Sequence, residues 1–108
     1  MIQANEKNFV DEVVNFKGVV VADFYADWCG PCKMLSPLME EMSKDNKDSN
    51  VKFVKISVDH EQELAGKYEI MSIPTVIFFK DGKKVLQSVG VLQKWEYEES
   101  IKKASVHT

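Results

Sequence analysis

Cys29 and Cys32 are the only cysteines of the chain, and they stand three residues apart in Trp28-Cys29-Gly30-Pro31-Cys32-Lys33. Residues at that spacing are neighbours on a helical turn, close to the Cα separation of about 5.5 Å that a disulfide requires. The pair can therefore cycle between dithiol and disulfide with little backbone movement. The segment lies where an apolar run, Val19 to Tyr25, gives way to a helical pattern, so Cys29 falls at a helix N-terminus. Unpaired backbone N–H groups and the positive end of the helix dipole stabilise a thiolate there and lower its pKa. Cys32, one turn inside, is expected to be shielded and more thiol-like. Geometry thus assigns Cys29 as the nucleophile that opens a disulfide and Cys32 as the thiol that resolves the mixed disulfide.

Other uses of two cysteines fit less well. A structural zinc site needs four ligands, and the remaining candidates, His60 and His107, have no finger-like spacing. Covalent haem attachment needs a histidine after the second cysteine, where Lys33 stands. Inert core thiols have no reason to flank Gly30-Pro31 at a strand-to-helix junction. No bound metal or cofactor is expected, and the redox-active group is the Cys29–Cys32 pair itself.

The elements that must hold this pair alternate along the chain. Ile2 to Ala4 reads as a short strand, and Asn5 can cap a helix with Phe9, Val13 and Val14 on its apolar face, ended by Gly18. Val19 to Tyr25 reads as a central strand buried on both faces. From Pro31 to about Lys44, Met34, Leu35, Leu38, Met39 and Met42 recur with helical period, with Pro37 inside as a kink. The three methionines read as core filling.

Val51 to Val58 is a further strand, and His60 to Tyr68 a short helix. Ile73 to Phe79 is an apolar strand that starts at a proline, where a missing donor is tolerated. Asp81-Gly82 suits a tight turn that returns Val85 to Val89 antiparallel. Gln93 to Ala104 closes the chain as a helix, with Glu98 and Glu99 four residues ahead of Lys102 and Lys103. A parallel βαβ start and an antiparallel hairpin finish predict an α/β fold: one mixed sheet with helices on both faces.

With 108 residues, 44% of them hydrophobic and 29% charged, a single domain over 1–108 is expected. Seventeen acidic residues against fourteen basic ones give a net charge of -3 without blocks of either sign. That balance argues against nucleic acid or an anionic membrane as partner. The longest apolar run is far below the roughly 20 residues of a membrane span, and Met1 opens no basic-then-apolar leader. Two cysteines are too few for a secreted disulfide scaffold, so a reducing, cytoplasmic setting is expected.

Asp23 is an exception inside its apolar strand. An ionised carboxylate is costly there, its pKa should rise, and such exceptions often mark function. The alternative is a capping or turn carboxylate.

The run Asp23-Phe24-Tyr25-Ala26-Asp27-Trp28-Cys29-Gly30-Pro31-Cys32-Lys33 resembles the active-site segment of the thioredoxin family. Lys55 and Asp59, Ile73-Pro74-Thr75, Asp81-Gly82 and Val89-Gly90 match further family positions in order, so the resemblance spans essentially the whole chain. It implies the thioredoxin fold, a five-stranded mixed sheet with four flanking helices. It implies that Asp23 lies beneath the cysteines and exchanges protons with Cys32 through water, with Lys55 near enough to modulate it. It implies a cis Ile73–Pro74 bond facing the disulfide, and a flat contact surface of Trp28, Gly30, Pro31, Ile73 and Gly90. A solvated Lys55 and a core Trp28 are the plainer alternatives. The Gly30-Pro31 dipeptide, which tunes redox poise, is similar to that of reducing members rather than oxidising isomerases.

The implied function is that of a general protein-disulfide reductase, acting as a monomer on disulfide-containing proteins and recharged by a thioredoxin reductase with electrons from NADPH or ferredoxin. Two rivals stand beside it: a holding subunit that does not use its thiols, and a reductant dedicated to one partner. Tyr25, Met71-Ser72, Val91 and Trp95 depart from the common family pattern and bear on partner preference.

Overall fold

The computed structural model describes residues 1–108. Five strands, β1 Ile2–Gln3, β2 Val19–Tyr25, β3 Val51–Ser57, β4 Thr75–Lys80 and β5 Lys83–Val89, form one sheet in the order β1-β3-β2-β4-β5. β2 lies at the centre, parallel to β3 and antiparallel to β4, and the β4–β5 hairpin completes a mixed sheet. The helices are a π-helical turn at Val10–Val14, α1 Gly30–Asp45, α2 Gln62–Lys67 and α3 Lys94–Ser105.

Burial on both faces explains the unbroken apolar run of β2. Val20, Ala22 and Phe24 pack with Phe9, Val13 and Leu64 on the face covered by the π turn and α2. Val19 and Val21 pack with Leu35, Met39, Met42, Tyr97 and Ala104 beneath α1 and α3. Strand alternation then sends Asp23 to the α1 side of the sheet, toward the N-terminus of that helix.

Several expected boundaries shift for physical reasons. Asn5 does cap the first turn, its Oδ1 accepting from the N–H groups of Lys7 and Asn8 at 2.9 Å. The following helix is wider than expected, with Asn15 N–H bonded to the Val10 carbonyl five residues back at 2.8 Å. Phe9 and Val13 are buried, and Val14 is exposed. Met34, two residues past Cys32, lies on the solvent side of α1 and is 71% exposed, so only Met39 and Met42 of the three methionines fill core.

β4 starts at Thr75 rather than at Ile73, because Pro74 offers no N–H to the ladder. β5 starts at Lys83, two residues earlier than expected. Asp81 and Gly82 both take positive φ, 51° and 84°, which permits the two-residue turn pairing Lys80 with Lys83. A Cβ on Gly82 would also meet the Val14 carbonyl oxygen at 2.2 Å. The β4–β5 register shifts by one residue between Phe78 and Phe79, where a bulge leaves Val85 without a partner on β4. α2 is shorter than expected, since His60 belongs to a turn closed by the Glu61 N–H on the Ser57 carbonyl at 2.9 Å.

Candidate functional site

Cys29 is the N-cap of α1 and has extended backbone angles, φ -86° and ψ 114°. Pro31 sits in the first turn, where its fixed φ and missing N–H cost nothing. Cys29 and Cys32 are joined as a disulfide with a Cα–Cα separation of 5.2 Å, as the three-residue spacing requires. The Cys32 backbone N–H points at the Cys29 sulfur, 3.2 Å away. A side-chain acceptor at an N-cap normally satisfies one of the free N–H groups of the first turn, and here that acceptor is sulfur. The same contact favours negative charge on Cys29 Sγ.

The expected contrast in exposure between the two cysteines is absent. Cys29 is 4% exposed and Cys32 3%, both packed with Ala26 and against the half-buried Tyr25, Val58 and Ile73. What distinguishes them is their surroundings. Cys29 Sγ lies 3.8 Å from the Ile73 carbonyl oxygen, on the side of the Ile73–Pro74 loop. Cys32 instead lines a cavity of about 190 Å³ shared with Asp23, Tyr25, Ala26, Asp27, Lys33, Ser36 and Lys55.

Asp23 is 3% exposed, and its Oδ1 has no hydrogen-bond partner. Burial pushes its carboxyl up to about 7, with the positive charge of Lys55, its register partner on β3, offsetting part of that rise. No capping role is served, and Lys55 is half-buried at the cavity rather than fully solvated.

Several apolar residues and glycines surround the disulfide. Trp28 is 70% exposed and is no core residue; its Nε1–H donates to Asp59 Oδ2 at 2.8 Å. Gly30 and Pro31 are exposed, and Ile73 is half-buried. The Ile73–Pro74 peptide bond is cis. The Gly90 N–H donates to the Pro74 carbonyl at 2.8 Å, so the loop after β5 lies beside the loop before β4. These contacts bring Cys29, Ile73, Pro74 and Gly90 together, with Met71, 93% exposed, and Val91, 40% exposed, on neighbouring chain positions. No three or more His, Cys, Asp or Glu side chains are grouped so as to hold a metal ion.

A family model described as Thioredoxin matches residues 1–103. The chain belongs to the thioredoxin family. It is 46% identical to a thioredoxin of Mycoplasmoides gallisepticum over 102 residues, 94% of this chain and 100% of that protein. It is 47% identical to a thioredoxin of Bacillus subtilis over 103 residues, 95% of this chain and 96% of that protein. The fold matches that of a mutant thioredoxin from Halobacterium salinarum with a TM-score of 0.86 at 34% identity, covering 99% of this chain and 92% of the other. With its Cys29–Cys32 pair, this member of the thioredoxin family is a thiol–disulfide oxidoreductase that acts by dithiol–disulfide exchange. Its redox-active group lies in the polypeptide itself.

Sequence reasoning misses the part that three residues play in the site. Tyr97 is fully buried and bonds the loop that carries Gly90. Ser36 shares the cavity of Asp23 and Cys32, and its spacing of four from Cys32 is the available signal. Asp59, which matches a family position, is the acceptor for Trp28, a contact across 31 residues that no local pattern reveals.

Proposed function

We propose that this protein is a general protein-disulfide reductase in which Cys29 is the nucleophile and Cys32 the resolving thiol. The Cys29 thiolate attacks a substrate disulfide, forming a mixed disulfide and releasing one substrate thiolate. Cys32 then loses its proton and attacks Cys29 Sγ, which closes the intramolecular disulfide and releases the second thiolate. Asp23 takes up the Cys32 proton, and Lys55 tunes the carboxylate that does so. Trp28, Ile73, Pro74 and Gly90 form the surface on which the substrate chain lies, and Gly30-Pro31 sets the poise of the pair.

The observation that carries this reading is the position of Cys29 Sγ, which accepts the Cys32 N–H at the N-cap of α1. It supports a thiolate at Cys29 and a thiol at Cys32 in the same turn. Two electrons from a thioredoxin reductase return the disulfide to the dithiol; this chain carries no nucleotide or flavin motif and needs that partner. The working form is a monomer, a single domain over residues 1–108, in a reducing cytoplasm.

Reduction of insulin with dithiothreitol tests the thiol chemistry, and reduction with NADPH and a thioredoxin reductase tests the recharging. Turnover in both that is lost in Cys29→Ser is the expected result. Absence of turnover with dithiothreitol would leave a holding role instead, and turnover with dithiothreitol alone would overturn only the reductase pairing.

A further inference from the structure

The proton that leaves Cys32 has to cross the cavity to Asp23, and one more polar side chain lines that cavity from the same helix as Cys32. Ser36 follows Cys32 by four residues, so the two side chains lie one above the other on one face of α1. Ser36 is half-buried. A serine inside a helix commonly returns its hydroxyl to a carbonyl one turn back, as Ser105 does to Lys102 at 2.7 Å. Ser36 forms no such bond, and its hydroxyl is free to donate once and accept twice.

The opposite wall supplies the complementary group. Asp23 Oδ1 is buried and has no partner in the protein. A buried carboxylate oxygen left so is expensive unless water reaches it. A cavity of about 190 Å³ has room for water, since one molecule occupies roughly 30 Å³ in the liquid, and water is held in such a site when two or more polar groups converge on it.

We propose that Ser36 is a positioning residue which, together with Asp23 Oδ1, holds the water that carries the Cys32 proton to Asp23. In the resolving step the water accepts the Cys32 proton as it passes one of its own to the carboxylate. The Cys32 thiolate attacks Cys29 Sγ, the Cys29–Cys32 bond forms, and the Cys29–substrate bond breaks with its electron pair going to the substrate sulfur. No other oxidant or reductant is needed. Other charged or titratable groups lining this cavity are Tyr25 on β2, Lys55 on β3, Asp27 on the connection into α1 and Lys33 on α1. Tyr97 on α3 also feels the charge of Asp23.

This proposal rests on the reading of Asp23 as the proton acceptor, and its test separates the two. The rate of insulin reduction by the full chain, recharged with dithiothreitol, is measured from pH 5 to 9 for wild type, Ser36→Ala, Ser36→Thr, Asp23→Asn and the double variant Asp23→Asn/Ser36→Ala. Ser36→Ala is expected to lower kcat roughly five- to tenfold with KM unchanged, a minor part of the ~10²–10⁴ that general acid–base transfer supplies. Ser36→Thr keeps the hydroxyl and should restore most of the rate. In the Asp23→Asn background, Ser36→Ala should cost nothing further, because the pair acts as a unit. A wild-type kcat in Ser36→Ala, failure of Ser36→Thr to restore it, or an equal loss in the Asp23→Asn background would overturn the role of Ser36 alone. An Asp23→Asn variant with the wild-type pH profile would remove the reading of Asp23, and the proposal with it.

Discussion

The hydroxyl of Tyr97 on α3 donates to the Gly90 carbonyl at 3.3 Å and accepts the Leu92 N–H at 3.0 Å, clasping the loop that follows β5. Tyr97 is fully buried, and burial is the main cause that holds its phenol above the ordinary tyrosine range, partly offset by the Leu92 bond. The clasp fixes Gly90, whose own N–H reaches Pro74 beside the disulfide.

Tyr97→Phe keeps the ring and removes the clasp. Leu92 N–H then loses its partner, which costs about 1–3 kcal/mol if no water replaces it. A lower melting temperature is expected, together with a several-fold rise in KM for insulin and a nearly unchanged kcat. Equal KM values for the two proteins would show that the loop is held without Tyr97.

The pH dependence of stability should report on Asp23. Its folded-state pKa of about 7 lies above the ordinary aspartate value of 3.8, so between these values the folded protein binds more protons than the unfolded chain, and rising pH destabilises it. Asp23→Asn should therefore be more stable than wild type above pH 7, with the difference shrinking through the window and vanishing below about pH 4. The ceiling is about 4 kcal/mol at ~1.36 kcal/mol per pH unit. Denaturant midpoints at pH 4 and pH 8 measure it, and a gain of equal size at both would mean that the charge is not the cause.

The bond from Trp28 Nε1–H to Asp59 Oδ2 anchors an otherwise exposed ring beside the disulfide. Asp59→Ala frees that ring and should reduce kcat/KM for insulin about fivefold, the equivalent of roughly 1 kcal/mol. Asp59→Asn retains an acceptor and should recover most of it. If Asp59→Ala matches wild type, the orientation of Trp28 does not depend on Asp59.

Much of this site is legible in the sequence because its determinants are local. The Cys29–Cys32 spacing, Pro31 in the first helical turn and the charge inside the apolar β2 each announce themselves within a few residues. The mixed sheet follows from the parallel start and the Asp81-Gly82 turn. What stays hidden depends on contacts across the chain. The 31-residue reach from Trp28 to Asp59 and the burial of Cys29 beneath the Ile73 loop belong to tertiary packing. The π-helical bond from Asn15 to Val10 is a local surprise: a pattern of Phe9, Val13 and Val14 fits an ordinary helix equally well, and Val14 is in fact exposed.

The order of attack is the most direct test of the thiol assignments, and the nearly equal burial of the two cysteines sharpens it. Access measured by area does not favour Cys29, so any preference has to come from the first turn of α1, where the Cys32 N–H supports charge on Cys29 Sγ. Reduced protein given limiting iodoacetamide at pH 7 should be alkylated first at Cys29, as peptide mapping would read. Cys32→Ser keeps this nucleophile and lacks a resolving thiol, so mixed disulfides with substrate should accumulate; Cys29→Ser should form few. Faster labelling of Cys32, or equal trapping by the two serine variants, would reverse or abolish the assignment of nucleophile and resolving thiol.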